Sequence, residues 1–170
     1  MEPVTAYLGL GSNLGQREAN LAESMRLLTQ DDRITVVQAS SIYETTPWGY
    51  TDQPDFLNCA LGVKTILEPA PLLERVKEVE AQVGRQPSFR YGPRVIDVDI
   101  LLYSDLIIQM DDPDLQIPHP RMTQRAFLLV PLAEIAGDVA HPVLQCTIEE
   151  LARRVEGKEG VKLWRPSRIG

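Results

Sequence analysis

The sequence predicts an α+β fold built on one antiparallel sheet. Four segments have the apolar patterns of strands, and two segments have the apolar spacing of amphipathic helices. In chain order they run strand, helix, strand, strand, helix, strand. That order is the ferredoxin-like βαββαβ arrangement, in which both helices cover the same face of the sheet. A C-terminal extension with a hairpin and further helices completes a predicted single domain over residues 1–170.

The first half of the chain supplies three of these strands and one helix. Every second residue from Val4 to Leu10 is apolar, which predicts the first strand. Leu21, Met25 and Leu28 have helical spacing within a helix over 16–30. The second and third strands are predicted over 34–43 and 56–65, and a loop with two aromatic residues joins them over 44–55.

The second half begins with a helix that Pro69 opens and Gly84 ends, because proline suits the first turn and glycine the position after the last. A polar loop over 84–93 and the fourth strand follow. The remaining predicted elements are a hairpin of 106–108 with 115–117, helical segments over 123–130 and 131–136, a helix from the capping box at 147–150 to about 155, and a loop or strand around 161–164.

The fourth strand carries two acidic residues in an apolar setting. Strand alternation places Ile96, Val98 and Ile100 on one face and Asp97 and Asp99 on the other. The two carboxylates then stand about 6.6 Å apart along the strand. Their repulsion and desolvation are relieved by a cation, and Mg²⁺ accepts a few carboxylates while keeping water and phosphate ligands. The alternative is an edge strand with a polar outer face.

Arginines flank this strand. Arg90 and Arg94 lie on either side of a Gly-Pro turn, and guanidinium groups fit phosphate oxygens well. The sequence therefore indicates metal and phosphate chemistry here. If both helices cover one face of the sheet, Phe56 and Asn58 of the third strand share the opposite face with the aspartates. The ring of Phe56 and the amide of Asn58 would then offer a stacking surface and a hydrogen-bonding group to a heterocycle. The alternative is that Phe56 is a partly buried ring and Asn58 caps a turn.

A glycine-rich stretch follows the first strand, from Gly9 to Gly15. It fits neither the dinucleotide-binding spacing, which would require glycine or alanine at Leu14, nor the P-loop, which requires Gly-Lys-Ser/Thr. Two interpretations stay open: a turn that needs a permissive backbone, and a close approach of the backbone to a ligand.

Composition limits the partners. The net charge is −7 and the pI is about 4.9, which argues against non-specific binding to nucleic acid or anionic membranes. No apolar run reaches the ~18 residues of a membrane span, and the N-terminus lacks a signal-peptide pattern. Cys59 and Cys146 have no metal-ligand spacing and fit buried thiols of a reducing compartment. We therefore expect a cytoplasmic protein.

The motifs together resemble those of the 6-hydroxymethyl-7,8-dihydropterin pyrophosphokinase family across essentially the whole chain. The similarity is carried by G-S-N-L-G at 11–15, D-Q-P-D-F-L-N at 52–58, R-Y-G-P-R-V-I-D-V-D-I-L at 90–101, I-P-H-P-R-M at 117–122 and R-A-F-L-L at 125–129. This resemblance implies a monomeric, Mg-dependent diphosphokinase of folate biosynthesis. Such an enzyme transfers the β,γ-diphosphate of ATP to the pterin hydroxymethyl group and releases AMP.

The resemblance also implies a role for particular residues. Asp97 and Asp99 would hold two Mg²⁺ ions, and Arg85 and Arg94 would neutralise phosphate charge as catalytic residues. The implied pterin-binding residues are Thr45, Thr46, Trp48, Phe56, Asn58 and Phe127. The implied ATP-binding residues are Glu80, Arg90, Arg94, Ile100, His119 and Arg125.

Two positions depart from the family pattern. Residues 86–88 read Gln-Pro-Ser where further basic residues are common, and Pro120 follows His119 where an aromatic residue is common. Two rival functions remain: a ligand-binding module without catalysis, and a metal-dependent nucleotidyltransferase, which would release pyrophosphate where a pyrophosphokinase releases AMP.

Overall fold

The fold is known from a computed structural model that describes residues 2–84 and 89–167. Within these ranges it contains a six-stranded sheet, four α-helices and a separate hairpin. The strands are β1 (Val4–Ser12), β2 (Ile34–Ala39), β3 (Ile42–Thr45), β4 (Phe56–Thr65), β5 (Asp97–Tyr103), β6 (Ile108–Asp111), β7 (Asp114–Ile117) and β8 (Val161–Arg165). The helices are α1 (Arg17–Thr29), α2 (Pro69–Val83), α3 (Ala126–Ala136) and α4 (Ile148–Arg154).

The large sheet is antiparallel at every pairing among the described strands, as predicted. Its order is β5-β1-β4-β3-β8. Strand β2 also pairs with β4, along residues 61–65, whereas β3 pairs with β4 along residues 56–58. The central strand β1 therefore lies between the strand with the aspartates and the strand with Phe56 and Asn58. Gly11 is paired with Asp97 on one side and with Asn58 on the other.

Each face of the sheet has its own helices and its own apolar core. Side chains of α1 and α2 such as Leu21, Leu28 and Val76 pack against one face. Side chains of α3 and α4 such as Leu129 and Ile148 pack against the other. Strand alternation decides which core a residue joins, because successive side chains point to opposite faces.

Local signals in the sequence explain several helix ends. Pro69 is the first residue of α2, and Gly84 follows its end with a left-handed φ of 109°. Thr147 caps α4, since its hydroxyl accepts a hydrogen bond from the backbone N–H of Glu150 at 3.2 Å. These ends agree with the prediction, as does the C-terminal strand β8.

The prediction of one strand over 34–43 was wrong. The strand breaks at Ser40 and Ser41 into β2 and β3. Ser40 exchanges two hydrogen bonds with Ala60, one of them through its own hydroxyl, and the backbone N–H of Ser41 donates to the carboxylate of Glu134. Side-chain oxygens thus replace part of the strand ladder, a known competition for serine.

Two further boundaries differ from the prediction. Of the helical segments expected over 123–130 and 131–136, residues 126–136 form one helix, α3, with Pro131 inside it, and Met122–Gln124 form a separate 3-10 turn. In the hairpin, the first strand begins at Ile108 and runs to Asp111, whereas Leu106 and Ile107 are exposed before it. The turn falls between Asp111 and Asp114, as expected.

None of the described helices is both long and apolar enough to cross a membrane.

Candidate active site

A cleft of about 240 Å³ lies on the sheet face that α3 and α4 partly cover. Its floor is formed by β1, β4 and β5, and its walls include the β3–β4 loop (residues 46–55) and the described part of the α2–β5 loop (residues 89–96). Most of the predicted site residues line it. They are Thr45, Thr46, Trp48, Phe56, Asn58, Arg90, Arg94, Asp97, Asp99, Arg125 and Phe127.

The aspartates lie at the start of β5, opposite two glycines of β1. Gly9 is paired with Asp99 and Gly11 with Asp97. A Cβ on Gly11 would lie 2.5 Å from the amide nitrogen of Asn58, so only glycine leaves room for the amide on the cleft floor. Gly15, by contrast, has a φ of 69° in the turn after β1. Gly15 therefore confirms the interpretation as a turn that needs a permissive backbone, whereas a close approach of the backbone to a ligand stays a prediction.

The amide of Asn58 is fixed at one end of the cleft. Its Oδ1 accepts a hydrogen bond from the hydroxyl of Thr45 at 2.6 Å, and its Nδ2 donates to the carbonyl of Leu10 at 3.3 Å. Both side chains are buried. Phe56 and Phe127 line the same cleft from β4 and from the start of α3. This end of the cleft offers aromatic faces beside an oriented amide, which suits a flat polar heterocycle.

Cationic groups line the same cleft, close to these aromatic rings. The Arg125 guanidinium stands over the rings of Trp48 at 4.7 Å and Phe127 at 5.6 Å. Burial lowers its pKa, an effect that the charge of Asp99 opposes. Its Nε is buried and has no hydrogen-bond partner among the described residues. Arg90 and Arg94 also line the cleft, so a protein of net charge −7 collects positive charge here.

His119 lies just behind Asp99, outside the cleft lining. Its Nε2 is 3.9 Å from Asp99 Oδ1, and its Nδ1 accepts a hydrogen bond from the backbone N–H of Arg121. Burial, with a smaller contribution from the charge of Arg125, lowers the pKa of His119 to about 4. At neutral pH the ring is therefore neutral with its proton on Nε2, so that atom is a hydrogen-bond donor.

Two predicted ATP-binding residues lie away from the cleft. Strand alternation puts the side chain of Ile100 in the core beneath α1 and α2, so any contact with a nucleotide would involve only its backbone. Glu80 is buried on α2, where its Oε2 accepts a hydrogen bond from the N–H of Val98 at 2.9 Å. It holds β5 at the residue between the aspartates. Arg85 lies outside the described residues.

Within the part of the chain that the structure describes, no group of three or more His, Cys, Asp or Glu side chains could hold a metal ion. A metal at Asp97 and Asp99 would therefore complete its coordination with water or substrate oxygens. That is the usual ligand set of Mg²⁺ at phosphate-binding sites.

The sequence is similar to those of a known enzyme family. Residues 7–137 match the profile of the family 7,8-dihydro-6-hydroxymethylpterin-pyrophosphokinase (HPPK). The chain belongs to the HPPK family. The 2-amino-4-hydroxy-6-hydroxymethyldihydropteridine pyrophosphokinase of Bacillus subtilis is 44% identical over 160 residues, which cover 94% of this chain and 90% of that protein. The protein of the same name from Aquifex aeolicus is 41% identical over 146 residues, covering 86% and 89%.

More distant HPPK structures share this fold. Wild-type Plasmodium falciparum HPPK-DHPS, solved with pteroate, has a TM-score of 0.75 at 18% identity. The match covers 95% of this chain and 48% of that longer chain. At this identity the likeness concerns the fold alone.

The sequence did not single out several residues that shape this HPPK cleft. Asn13 is buried and donates hydrogen bonds to Gln53 Oε1 at 2.8 Å and to the carbonyl of Pro54 at 2.9 Å. Gln53 in turn donates to the backbone carbonyl of Tyr91 at 2.6 Å. Asn13 and Gln53 stand within the quoted motifs, but no spacing rule indicates which loop each one binds.

The sequence also did not single out Tyr91, because no spacing rule indicates which loop its ring contacts. It has a φ of 61°, which is uncommon for a residue other than glycine. Its ring meets the edge of Trp48 at 5.0 Å and lies so close to Gly49 that a Cβ there would be 2.7 Å from it. Arg90 and Arg121 both donate to its hydroxyl. The two loops thus contact each other through this ring.

Proposed function

We propose that this chain transfers the β,γ-diphosphate of ATP to the hydroxymethyl group of 6-hydroxymethyl-7,8-dihydropterin and releases AMP. One observation carries the proposal. The aspartate pair, the aromatic residues beside Asn58 and the arginines all line one cleft. Membership in the HPPK family and the names of its relatives support the same reaction.

The pterin would lie at the Asn58 end. Phe56 and Phe127 would stack on its two faces, and Asn58 would hydrogen-bond its polar edge. Asn58 is well prepared for this, because Thr45 and the Leu10 carbonyl already fix the orientation of its amide. The backbone around Thr46 and Trp48 lines the same end and would complete the contacts.

The triphosphate would lie across the arginines. The cleft is lined by Arg90, Arg94 and Arg125. The neutral His119 would donate from Nε2 to a phosphate oxygen. The unpartnered Nε of Arg125 is a further donor for a polar ligand. Arg85, which the family pattern also places at the phosphates, would add charge during the reaction.

Asp97 and Asp99 would hold two Mg²⁺ ions. The pair fits such ions, since two carboxylates leave most coordination positions to water and phosphate. When bound, Mg²⁺ neutralises phosphate charge and stabilises the charge that develops in phosphoryl-type transfer. Glu80 would support the pair from behind through the Val98 N–H.

Catalysis would then rest on positioning. The hydroxyl oxygen loses its proton to water and forms a bond to the β-phosphorus, the bond from that phosphorus to the oxygen of the α-phosphate breaks, and AMP leaves with that oxygen. The stacked rings and Asn58 hold the attacking group, and the arginines hold the phosphates in line with it. The reaction requires no covalent intermediate on the protein.

We further propose that residues 4–103 form a ferredoxin-like core and that the later elements extend it. The order β5-β1-β4-β2 supports this assignment, and β8 would be the extension of the sheet. A monomeric cytoplasmic enzyme is the form that we expect.

Product analysis tests the function. The enzyme is mixed with ATP, Mg²⁺ and the hydroxymethyl dihydropterin, and the products are separated by chromatography. AMP and the pterin diphosphate in equal amounts are expected. Pyrophosphate would indicate the nucleotidyltransferase instead, and binding without turnover would indicate a ligand-binding module.

Variants of the aspartate pair sharpen this experiment. Asp97→Ala and Asp99→Ala should each lower turnover by several orders of magnitude, because a bound metal supplies several kcal/mol of charge stabilisation. Asp105→Ala is the matched control, since this exposed aspartate follows the same strand. Near-normal turnover of both cleft variants at saturating Mg²⁺ would contradict the metal assignment.

A further inference from the structure

The carboxylate of Glu134 joins helix α3 to strand β3. Its Oε2 accepts hydrogen bonds from the backbone N–H of Ser41 at 2.9 Å and from the Ser41 hydroxyl at 3.0 Å. Its Oε1 accepts from the hydroxyl of Tyr43 at 2.5 Å. Both donor residues belong to β3 or immediately precede it. One side chain therefore makes three hydrogen bonds between two elements of the fold.

The two joined elements position a wall and part of the floor of the cleft. Phe127 is the second residue of α3. Strand β3 pairs with β4 so that Tyr43 lies opposite Asn58 and Thr45 opposite Phe56. Glu134 thus connects the wall with Phe127 to the pair of strands with Phe56 and Asn58.

The other contacts of α3 with the sheet set its position less sharply. They are apolar and involve side chains such as Leu128, Leu129 and Leu132 of α3 beside Ala60 and Leu101 of the sheet. Apolar packing is not directional, whereas a hydrogen bond requires a defined distance and angle. The Glu134 contacts therefore fix where α3 lies along β3.

The distance from this contact to the cleft is short. Glu134 lies seven residues after Phe127, which is about two helical turns or roughly 10 Å along α3. A displacement of the helix at Glu134 therefore reaches the Phe127 ring. Arg125 precedes the helix and reaches the cleft through a long, flexible side chain, so it tolerates such a displacement better than a stacked ring does.

The strand break gives Glu134 a specific partner. The backbone N–H of Ser41 stands between β2 and β3, and its acceptor is the Glu134 carboxylate. Burial and the hydrogen bond to Glu134 raise the pKa of Tyr43, so its hydroxyl keeps its proton at neutral pH. Although Glu134 is exposed, its carboxylate accepts hydrogen bonds from three defined donors.

We propose that Glu134 is a positioning residue for pterin binding, which sets the gap between Phe127 and the strand with Phe56 and Asn58. The proposal rests on the function proposed above. It predicts that loss of the carboxylate weakens pterin binding and leaves nucleotide binding almost unchanged.

Calorimetry on single variants tests this role. Glu134→Ala should raise the Kd for the pterin about ten-fold, within the range expected for loss of hydrogen bonds to a charged group. The Kd for an unreactive ATP analogue should stay within about two-fold, and kcat at saturating pterin should be nearly retained. Glu134→Gln keeps an acceptor for Ser41 and should restore most of the affinity. Glu156→Gln, an exposed glutamate beyond α4, is the control.

Tyr43→Phe supplies the second arm. It should weaken pterin binding less than Glu134→Ala, and the two changes should not add in the double variant, because they remove the same contact. Hydrogen exchange of the Ser41 amide gives a readout that needs no activity. Exchange should be faster in Glu134→Ala than in the unmodified protein and unchanged in Glu156→Gln.

The outcomes separate the two proposals. Normal pterin affinity in Glu134→Ala overturns the positioning role alone. An equal rise of both dissociation constants together with a lower Tm also overturns it, because that pattern indicates general destabilisation. An unmodified enzyme that binds no pterin overturns the proposed function itself.

Discussion

The side chain and backbone of Asn13 exchange two hydrogen bonds with the backbone of Arg94. The N–H of Asn13 donates to the Arg94 carbonyl at 3.0 Å, and the N–H of Arg94 donates to Asn13 Oδ1 at 2.8 Å. The Nδ2 of Asn13 meanwhile binds Gln53 and Pro54 of the β3–β4 loop. One buried amide therefore holds both loops of the cleft to the end of β1.

Asn13→Ala should leave the N–H of Arg94, the side-chain oxygen of Gln53 and the carbonyl of Pro54 without this partner. Each unsatisfied group costs about 1–3 kcal/mol, so we expect a loss of about 2 kcal/mol in the free energy of unfolding and a clear fall in turnover. Asn13→Asp is the informative comparison, because it keeps the acceptor for Arg94 but places an oxygen against Gln53 Oε1. Urea denaturation and steady-state kinetics measure both effects. Unchanged stability of Asn13→Ala would refute this role.

Phe127→Ala should act on the pterin more than on the nucleotide. Stacking on a flat heterocycle is worth about 1–3 kcal/mol per ring, so the pterin Kd should rise roughly 10- to 100-fold. Calorimetry with the pterin and with an unreactive ATP analogue separates the two ligands. Trp164→Ala, which removes an exposed aromatic side chain on β8, is the control. Equal pterin affinity in Phe56→Ala, Phe127→Ala and the unmodified protein would contradict the proposed stacking.

Arg94 and Arg85 should differ in their effects. The Arg94 guanidinium donates to the carbonyls of Phe89, Gly92 and Pro93, each at 3.1 Å, so it shapes its own loop as well as lining the cleft. We expect Arg94→Ala to weaken ATP binding and to slow the chemical step. Arg85→Ala should slow the chemical step and leave ATP affinity nearly intact.

Single-turnover kinetics distinguish these two arginines. The exposed Arg153 of α4 provides a control through Arg153→Ala. A normal chemical step in Arg85→Ala would leave that residue as a solvated charge. Unchanged ATP affinity in Arg94→Ala would argue against its contact with the phosphates.

Acidic pH should lower the free energy of unfolding, partly through protonation of Asp31. The hydrogen-bonded guanidinium of Arg33 lowers the pKa of Asp31 from 3.8 to about 2, with a small addition from Arg75. Because the folded-state pKa is below the unfolded one, the stabilisation is complete above pH 4 and disappears as pH falls from 4 to 2. It is worth roughly 1 kcal/mol, less than the full shift implies, since Arg33 is half exposed and solvent screens the pair.

Urea denaturation at pH 5 and at pH 2.5 measures this contribution. Asp31→Asn should be less stable than the unmodified protein at pH 5, and the difference should shrink at pH 2.5. Asp32→Asn, a change of the neighbouring exposed carboxylate, should show no such pattern. An equal difference at both pH values would rule out the titration of Asp31 as the cause.

Period-two alternation was enough to predict which strand residues share the cleft face of the sheet. Once the order of elements was known, Phe56, Asn58, Asp97 and Asp99 had to share one face of the sheet, and they do. Alternation needs only local sequence, and the antiparallel sheet follows from the βαββαβ order of the elements. The roles of these residues come from the family resemblance and remain predictions.

Contacts between distant side chains could not be predicted in the same way. The break at Ser41 depends on Glu134, 93 residues later, and Asn13 meets Arg94 across 81 residues. Serine and asparagine offer several hydrogen-bonding geometries, and only the assembled fold selects one. Ile100 was placed near the nucleotide by resemblance, although its own alternation puts its side chain in the opposite core.

The division of the apolar interior between two sheet faces has a practical consequence. Among the described residues, no side chain of α1 or α2 lines the cleft, whereas α3 forms part of the cleft wall. An engineer who wants a more heat-resistant enzyme can therefore repack the first core around Val76 and Leu28 with little risk to catalysis. Changes of substrate preference belong on α3 and the β3–β4 loop.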